Sequence, residues 1–372
     1  MRDPRLDRLA NQVIGYSVRL QPGESVLIDA WDGAEEFAVA LVEAAQRAGG
    51  RPQVELQSMR VNRALMRGVT EEGMADWYAY ERARMERMDA YIAIRRQENA
   101  YEYADVDPAR MEIYNRYSAR LHNGLRIPHT KWCVLRYPNG AAAQQSRMST
   151  EAFEDYYFKA CCVDYGRLNE IACALNRYAN RADWVHIIAP DTDLRFSIKG
   201  QCQPESLCGI WNLPCGETGM QIVQGTANGH IHYNIPSNYQ GTVFEDVRLT
   251  LRDGRIVEAE ANYAARLNEI LNTDANARRI GEFSIGFNPF ITEPILDTLF
   301  DEKMTGSLHF TPGNSQNNPS AIHWDLVQSH LPAYGGGEIW FDDILIRKDG
   351  LFVPEDLQVM NPDRLSELIA KQ

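Results

Sequence analysis

The sequence predicts an α/β protein, in which an N-terminal α/β domain with a mainly parallel sheet precedes a strand-rich α+β domain. Three observations predict it. Up to about residue 136, short apolar runs alternate with amphipathic stretches. A long helical pattern then runs from Ser149 towards Arg181. After it the texture changes to short strands closed by tight turns.

Ser25-Val26-Leu27-Ile28-Asp29 reads as a buried strand, and the Ala-rich stretch Glu35 to Arg47 as a helix stopped by Gly49-Gly50. Gln53 to Leu56, Ala90-Tyr91-Ile92-Ala93-Ile94 and Trp132-Cys133-Val134-Leu135 supply three further strands, separated by helix-forming sequence. A parallel sheet flanked by helices accommodates that alternation. Ser149-Thr150-Glu151 caps the long helical pattern, with a hydroxyl and an acidic residue suited to a helix N-terminus. Beyond it, Arg252-Asp253-Gly254 and Lys348-Asp349-Gly350 mark reversals between apolar runs, and Tyr263 to Arg279 reads as a helix. The expected organisation is an N-terminal α/β domain over 1–182, ending in the connector helix, and a catalytic, metal-binding domain over 183–372.

The 372 residues, 44% hydrophobic and 24% charged with no low-complexity tract, suit a globular fold throughout. The N-terminus is too charged for a secretory signal, and no apolar run approaches the roughly 18 residues that span a membrane, so the expected compartment is the cytoplasm. Seven cysteines, two of them adjacent at Cys161 and Cys162 and none in a CxxC pair, resemble neither a disulfide framework nor a cysteine zinc site. A net charge of −13 with scattered basic residues disfavours nucleic acid and anionic membrane, leaving a small-molecule or peptide substrate. No GxGxxG or GxxxxGK[ST] phosphate loop is present.

The sharpest local signal is Ser320-Ala321-Ile322-His323-Trp324-Asp325-Leu326-Val327. Read as a strand, it sets His323 and Asp325 on one face and Ile322, Trp324 and Leu326 on the other. A histidine and a carboxylate side by side on a rigid strand are two ligands for a divalent metal, or else a hydrogen-bonded surface pair. His309, before Thr311-Pro312-Gly313-Asn314, ends a strand at a loop; Glu217 follows Pro214-Cys215-Gly216, where the backbone is fixed. Glu282 stands in an apolar setting that asks for a metal or for a cation such as Arg278 or Arg279. Glu302, within Asp301-Glu302-Lys303, reads as a solvated charge. His230 and His232 share a strand face and are assigned to substrate binding, ahead of ligation, because no matching carboxylate stands beside them.

In order along the chain, NLPCGE, IGEFSIGFNPF, LFDEKMTGSLHFTPGN and SAIHWDLV resemble the metal-site signature of the aminopeptidase T family of thermophilic metalloaminopeptidases. The resemblance extends to DTDLRFSIKG and MSTEAFEDYYF, covering most of the chain. It implies a homodimeric hydrolase that removes N-terminal residues from peptides with two divalent ions, zinc or cobalt. By position it implies the ligands Glu217, Glu282, His309, His323 and Asp325, with Glu302 as a sixth whose spacing to His309 differs by two residues. Glu282 would bridge the ions and serve in catalysis.

Two departures lie beside this site. Gln316 stands where the family pattern has a tyrosine that helps stabilise the oxyanion, so Gln316 takes the catalytic position with an amide in place of a phenol. Thr218 to Gln224 lacks the aromatic-Thr-Ala-Pro run of the family and ends in glutamine where an acid is usual. Two alternatives follow: a mononuclear Fe(II) ring-cleaving dioxygenase, a class to which the family is related, or a family member whose catalysis is altered.

Overall fold

A computed structural model describes residues 2–201 and 208–370. The chain forms two compact units, Met1–Cys162 with Gly209–Leu213, and Val163–Cys208 with Pro214–Gln372.

The first unit is built on a five-stranded parallel sheet in the order Arg51–Gln57, Ser25–Trp31, Ala90–Arg95, Lys131–Arg136 and Asn212–Leu213. Its central strands are apolar without interruption, Val26 to Ile28 and Ala90 to Ile94 being buried, as strands covered on both faces must be. The helix Glu35–Arg47 forms as its Ala-rich sequence and acidic first turn predict, and it buries Phe37, Leu41, Ala44 and Ala45. The buried Asp29 is satisfied by the Tyr91 hydroxyl at 2.6 Å, Arg95 at 3.0 Å and Gln57 at 3.0 Å.

The single long helix expected after Ser149 is two helices, Thr150–Cys161 and Tyr165–Ala179. Ser149 Oγ caps the first as expected, accepting from Ala152 N at 3.2 Å. The break follows from Asp164, whose carboxylate accepts from Arg167 N at 3.0 Å and so starts a second helix where a continuous one would leave it no role.

The second unit contains, among the described residues, two large antiparallel sheets and a two-stranded one formed by Ser237–Tyr239 and Thr242–Phe244. The larger has eight strands in the order Arg255–Glu260, Val247–Arg252, Asn228–Tyr233, Thr192–Ser197, Trp184–Ala189, Glu338–Phe341, Ile344–Lys348 and Leu351–Phe352. Both Asp-Gly pairs make the expected reversals, with φ of 50° and 74° at Asp253 and Gly254 and of 47° and 84° at Asp349 and Gly350. The helix expected over 263–279 stops at Leu271, because the Asp274 carboxylate binds Asn276 N, Ala321 N and the Ser320 hydroxyl and turns the chain.

The smaller sheet runs Asn318–His323, Ser307–Ser315, Ile280–Gly286 and Glu217–Gln221, with Val327–Ser329 also pairing with 307–315. One face of it is apolar. Phe283, Ile285, Leu308 and Phe310 are buried there, and the Phe196 ring of the larger sheet lies 5.1 Å from Phe283 and 4.8 Å from Phe310. The opposite face carries the polar side chains of interest.

Candidate metal centre

Strand register alone brings the key residues to one face. Glu282 pairs with Gln221 and Thr311, Ser284 with Gly219 and His309, and Gly286 with Glu217. Side chains directly opposite one another share a face, so Glu217, Glu282, His309 and Thr311 all project to the same side. On the returning strand Gly313 pairs with His323 and His309 with Val327, which sets Asp325 opposite Thr311 and keeps His323 and Asp325 on that side too. Gly219, Ser284, Gly286 and Gly313 are the intervening residues on this face, and where a side chain would stand at Gly286 and Gly313 the carbonyls of Glu302, Met304 and Ile322 pack instead.

Two local expectations need correction. His309 does not end a strand: 307–315 continues through Pro312 and Gly313, because the pairing with 280–286 is irregular between Ile280 and Glu282, where the missing proline N–H is tolerated, and Gly313 takes φ 97°. The strand from Ser320 to Val327 is interrupted at Trp324–Leu326, where Leu326 N turns back to Trp324 O at 3.0 Å. Alternation survives the interruption, with Ile322, Trp324 and Leu326 buried on the opposite side.

The donors are close-set. Glu282, His309 and Asp325 each offer an atom within 4.8 Å of the others'. His309 Nε2 lies 3.5 Å from Glu282 Oε1 and 4.0 Å from Asp325 Oδ1; His323 Nε2 lies 3.8 Å and 3.2 Å from the same two oxygens. His323 Nδ1 is 2.8 Å from the Asn314 carbonyl, which fixes its proton on that nitrogen and turns Nε2 towards the carboxylates. Asp325 Oδ1 accepts from the buried Thr311 hydroxyl at 2.7 Å. These are the partners that orient metal ligands, and the mixed nitrogen and oxygen set suits a divalent transition ion.

The electrostatics agree with a cation site. His323 is pushed up to about 10, chiefly by Asp325 against the effect of burial, with Glu282 and the Asn314 carbonyl adding to the rise. Burial works against a charge on His309, but Glu282, Glu217 and Asp325 outweigh it and raise its pKa. Burial likewise opposes the charge of Asp325, yet the two histidines and Thr311 hold its carboxyl well below the usual range. Without an ion, the proton on His323 offsets part of the carboxylate charge.

Glu217 stands on the other side of His309, its Oε2 3.6 Å from Nδ1; both atoms are buried and neither has a hydrogen-bond partner. Its second oxygen is 3.0 Å from Nζ of Lys303. Glu302 is not a solvated charge: it is 5% exposed, Lys303 is 1% exposed, and the Glu302 carboxylate is paired with the Lys303 ammonium. Glu302 therefore meets a lysine, not the Glu282, His309 and Asp325 group. Neither arginine suggested for Glu282 is its partner in an ion pair; Arg278 turns to Asn268 and Asn272.

Gln316 lies exposed in the turn between 307–315 and 318–323. His230 and His232 share a face as expected, but on the larger sheet, where His230 is exposed and His232 Nε2 meets Asp246 at 3.1 Å, so they are not brought to this centre. Sequence reasoning missed Lys303, Thr311 and the Asn314 carbonyl. Only the flanking Phe300 and Met304 hint that the charged run containing Lys303 is buried, and nothing local marks the other two.

A family model described as thermophilic metalloprotease (M29) matches residues 2–333. Aminopeptidase 2 of Geobacillus stearothermophilus is 22% identical over an alignment of 400 positions, covering 96% of this chain and 94% of that protein. Aminopeptidase PepS of Streptococcus thermophilus is 22% identical over 373, covering 89% and 88%. Among solved structures, wild-type AmpT from Thermus thermophilus superposes with a TM-score of 0.76 at 21% identity, covering 94% of this chain and 99% of that one. The 2,5-dihydroxypyridine dioxygenase of Pseudomonas putida KT2440 shares the fold at a TM-score of 0.59 and 14% identity, covering 96% and 99%.

Proposed function

Because the chain belongs to the M29 family of thermophilic metalloproteases, and is a metalloaminopeptidase-like hydrolase with it, we propose that it removes N-terminal residues from peptides at the Glu282, His309, His323 and Asp325 centre. The observation that carries this reading is the convergence of two carboxylates and two histidine Nε2 atoms on one face of one sheet. Zinc or cobalt is the ion of this reading, the protein is cytoplasmic, and a second copy of the chain is its partner. No helix among the described residues is long and apolar enough to cross a membrane.

When bound, a divalent ion supplies Lewis acidity to the scissile carbonyl and to water. The chain's own groups do the rest. Thr311 and the Asn314 carbonyl hold Asp325 and His323 in fixed orientations. Glu282, 31% exposed at its side chain, stands on the solvent side of the buried His309, where a carboxylate oxygen takes the proton of the attacking water and returns it to the leaving amine.

The test is release of the first residue from unblocked and N-acetylated peptides, before and after chelation. Cleavage restricted to free amino termini, lost with chelator and restored by zinc or cobalt, is expected. No cleavage by protein reloaded with any divalent ion would end this reading. A second reading is favoured by one observation: His309, His323 and Asp325 also form a two-histidine, one-carboxylate set, as mononuclear iron dioxygenases use. Oxygen uptake by the iron-loaded protein on a dihydroxylated aromatic ring, without peptide cleavage, would replace the first reading with the second.

A further inference from the structure

We infer that this centre takes a single divalent ion, and that the Lys303 ammonium, seated between Glu217 and Glu302, occupies the place that a second ion would need. The inference rests on the metal-centre reading above but not on the substrate assigned there.

Of the six side chains the resemblance implies as ligands, two are turned to Lys303. Its Nζ lies 3.0 Å from Glu217 Oε1 and is also paired with Glu302, and the whole side chain is buried. A second ion ligated by these carboxylates would have to sit beside a buried ammonium, where charge repulsion is poorly screened. The remaining Glu217 oxygen faces His309 Nδ1 at 3.6 Å. A neutral His309 that gives Nε2 to the ion would carry its proton on Nδ1, on the side of that oxygen, although 3.6 Å is too long for a hydrogen bond. Glu217 is thus held by Lys303 through one oxygen, while the other faces the His309 ring.

Lys303 also explains why a carboxylate whose spacing to His309 differs by two residues from the family's can be kept: it neutralises the lysine without binding an ion.

The experiment is elemental analysis of the full-length protein after removal of metal and reloading with excess Co2+ followed by desalting, with the visible spectrum of the bound cobalt recorded alongside. One ion per chain is expected in the wild type and two in Lys303→Met, which frees both carboxylates. Two ions, or none, in the wild type overturns the inference, and one ion in a folded Lys303→Met overturns the role given to Lys303. Should Lys303→Met not fold, Glu217→Gln decides: it keeps one ion on this account, and its loss would make Glu217 a ligand and refute the assignment. These counts are independent of turnover, so a one-ion protein without peptidase activity sinks the proposed function alone.

Discussion

Ion binding at this centre should weaken steeply as the pH falls, because His323, one of its four donors, holds a proton when no ion is present. His323 is pushed up to about 10, so the ion-free protein carries its proton at neutral pH, and His309 is raised as well. An imidazole must lose the proton on its ligating nitrogen before it can bind metal. Each pH unit below about 10 therefore costs about a tenfold loss of apparent affinity through His323 alone, or roughly 100-fold from pH 9 to pH 7, with His309 steepening the fall. Titration calorimetry with Zn2+ in buffers of different ionisation heat counts the protons directly: about one to two should leave per ion bound near pH 7.5. His323→Gln should release about one fewer. The sign for stability is the reverse. His323 is raised above its ordinary value of 6.5, so in the ion-free protein its contribution is fully present below about 6.5 and is lost as the pH climbs through about 10. Affinity that is flat from pH 7 to pH 9, with no proton release, would refute this account of the cluster.

Thr311→Val removes the hydroxyl that donates to Asp325 at 2.7 Å, and chelator competition should find ion affinity about 10- to 100-fold weaker in a protein that still folds; equal affinity would show that Asp325 needs no such support. Gly286→Ala would drive a Cβ to 2.6 Å from Glu302 O and 2.8 Å from Met304 O, and against Ser307 Oγ, so the urea midpoint should drop by the equivalent of about 1–3 kcal/mol or more; an unchanged midpoint contradicts the tight packing of that turn on the sheet. Trp324→Ala empties a buried site stacked 4.5 Å from Tyr239 and bonded to Ser237, at an expected cost of about 3–5 kcal/mol, while Trp324→Phe should cost clearly less in the same melts. In the first unit His122 is pushed down to about 4 by burial, with Arg126 and Arg95 adding to it; its contribution is present above about 6.5 and is lost as the pH falls towards 4. His122→Phe should flatten that acid limb, and an identical limb in the variant would exclude His122 as its source.

Much of the fold was legible locally. The strands around Ile28, Val54, Ile92 and Val134 and the helix from Glu35 to Arg47 follow from apolar runs and propensity, which act over a few residues. The errors lie where a side chain recruits the backbone: Asp164 splits one helix into two, and Asp274 ends another early. Pro312 and Gly313 look like a strand terminator in isolation, and only the irregular pairing at Ile280–Glu282 allows the strand to run through them.

The sequence by itself determined which groups are candidates to hold an ion. Period-two spacing put His323 and Asp325 on one side of a strand, and an apolar setting marked Glu282 as a carboxylate in need of a cation. Tertiary structure decided which of the candidates meet. Strand register over three segments aligns Glu282, Thr311 and Asp325 in one row across the sheet, while His230 and His232, equally well spaced along their own strand, fall on another sheet. It also decided the fate of Asp301-Glu302-Lys303, where a run that reads as solvated is buried and its lysine is set against Glu217, a residue 86 positions earlier in the chain. Spacing along a chain fixes which way a side chain points from its own element, but the charge it meets depends on elements brought together from far along the sequence, and that is settled only when the sheet closes.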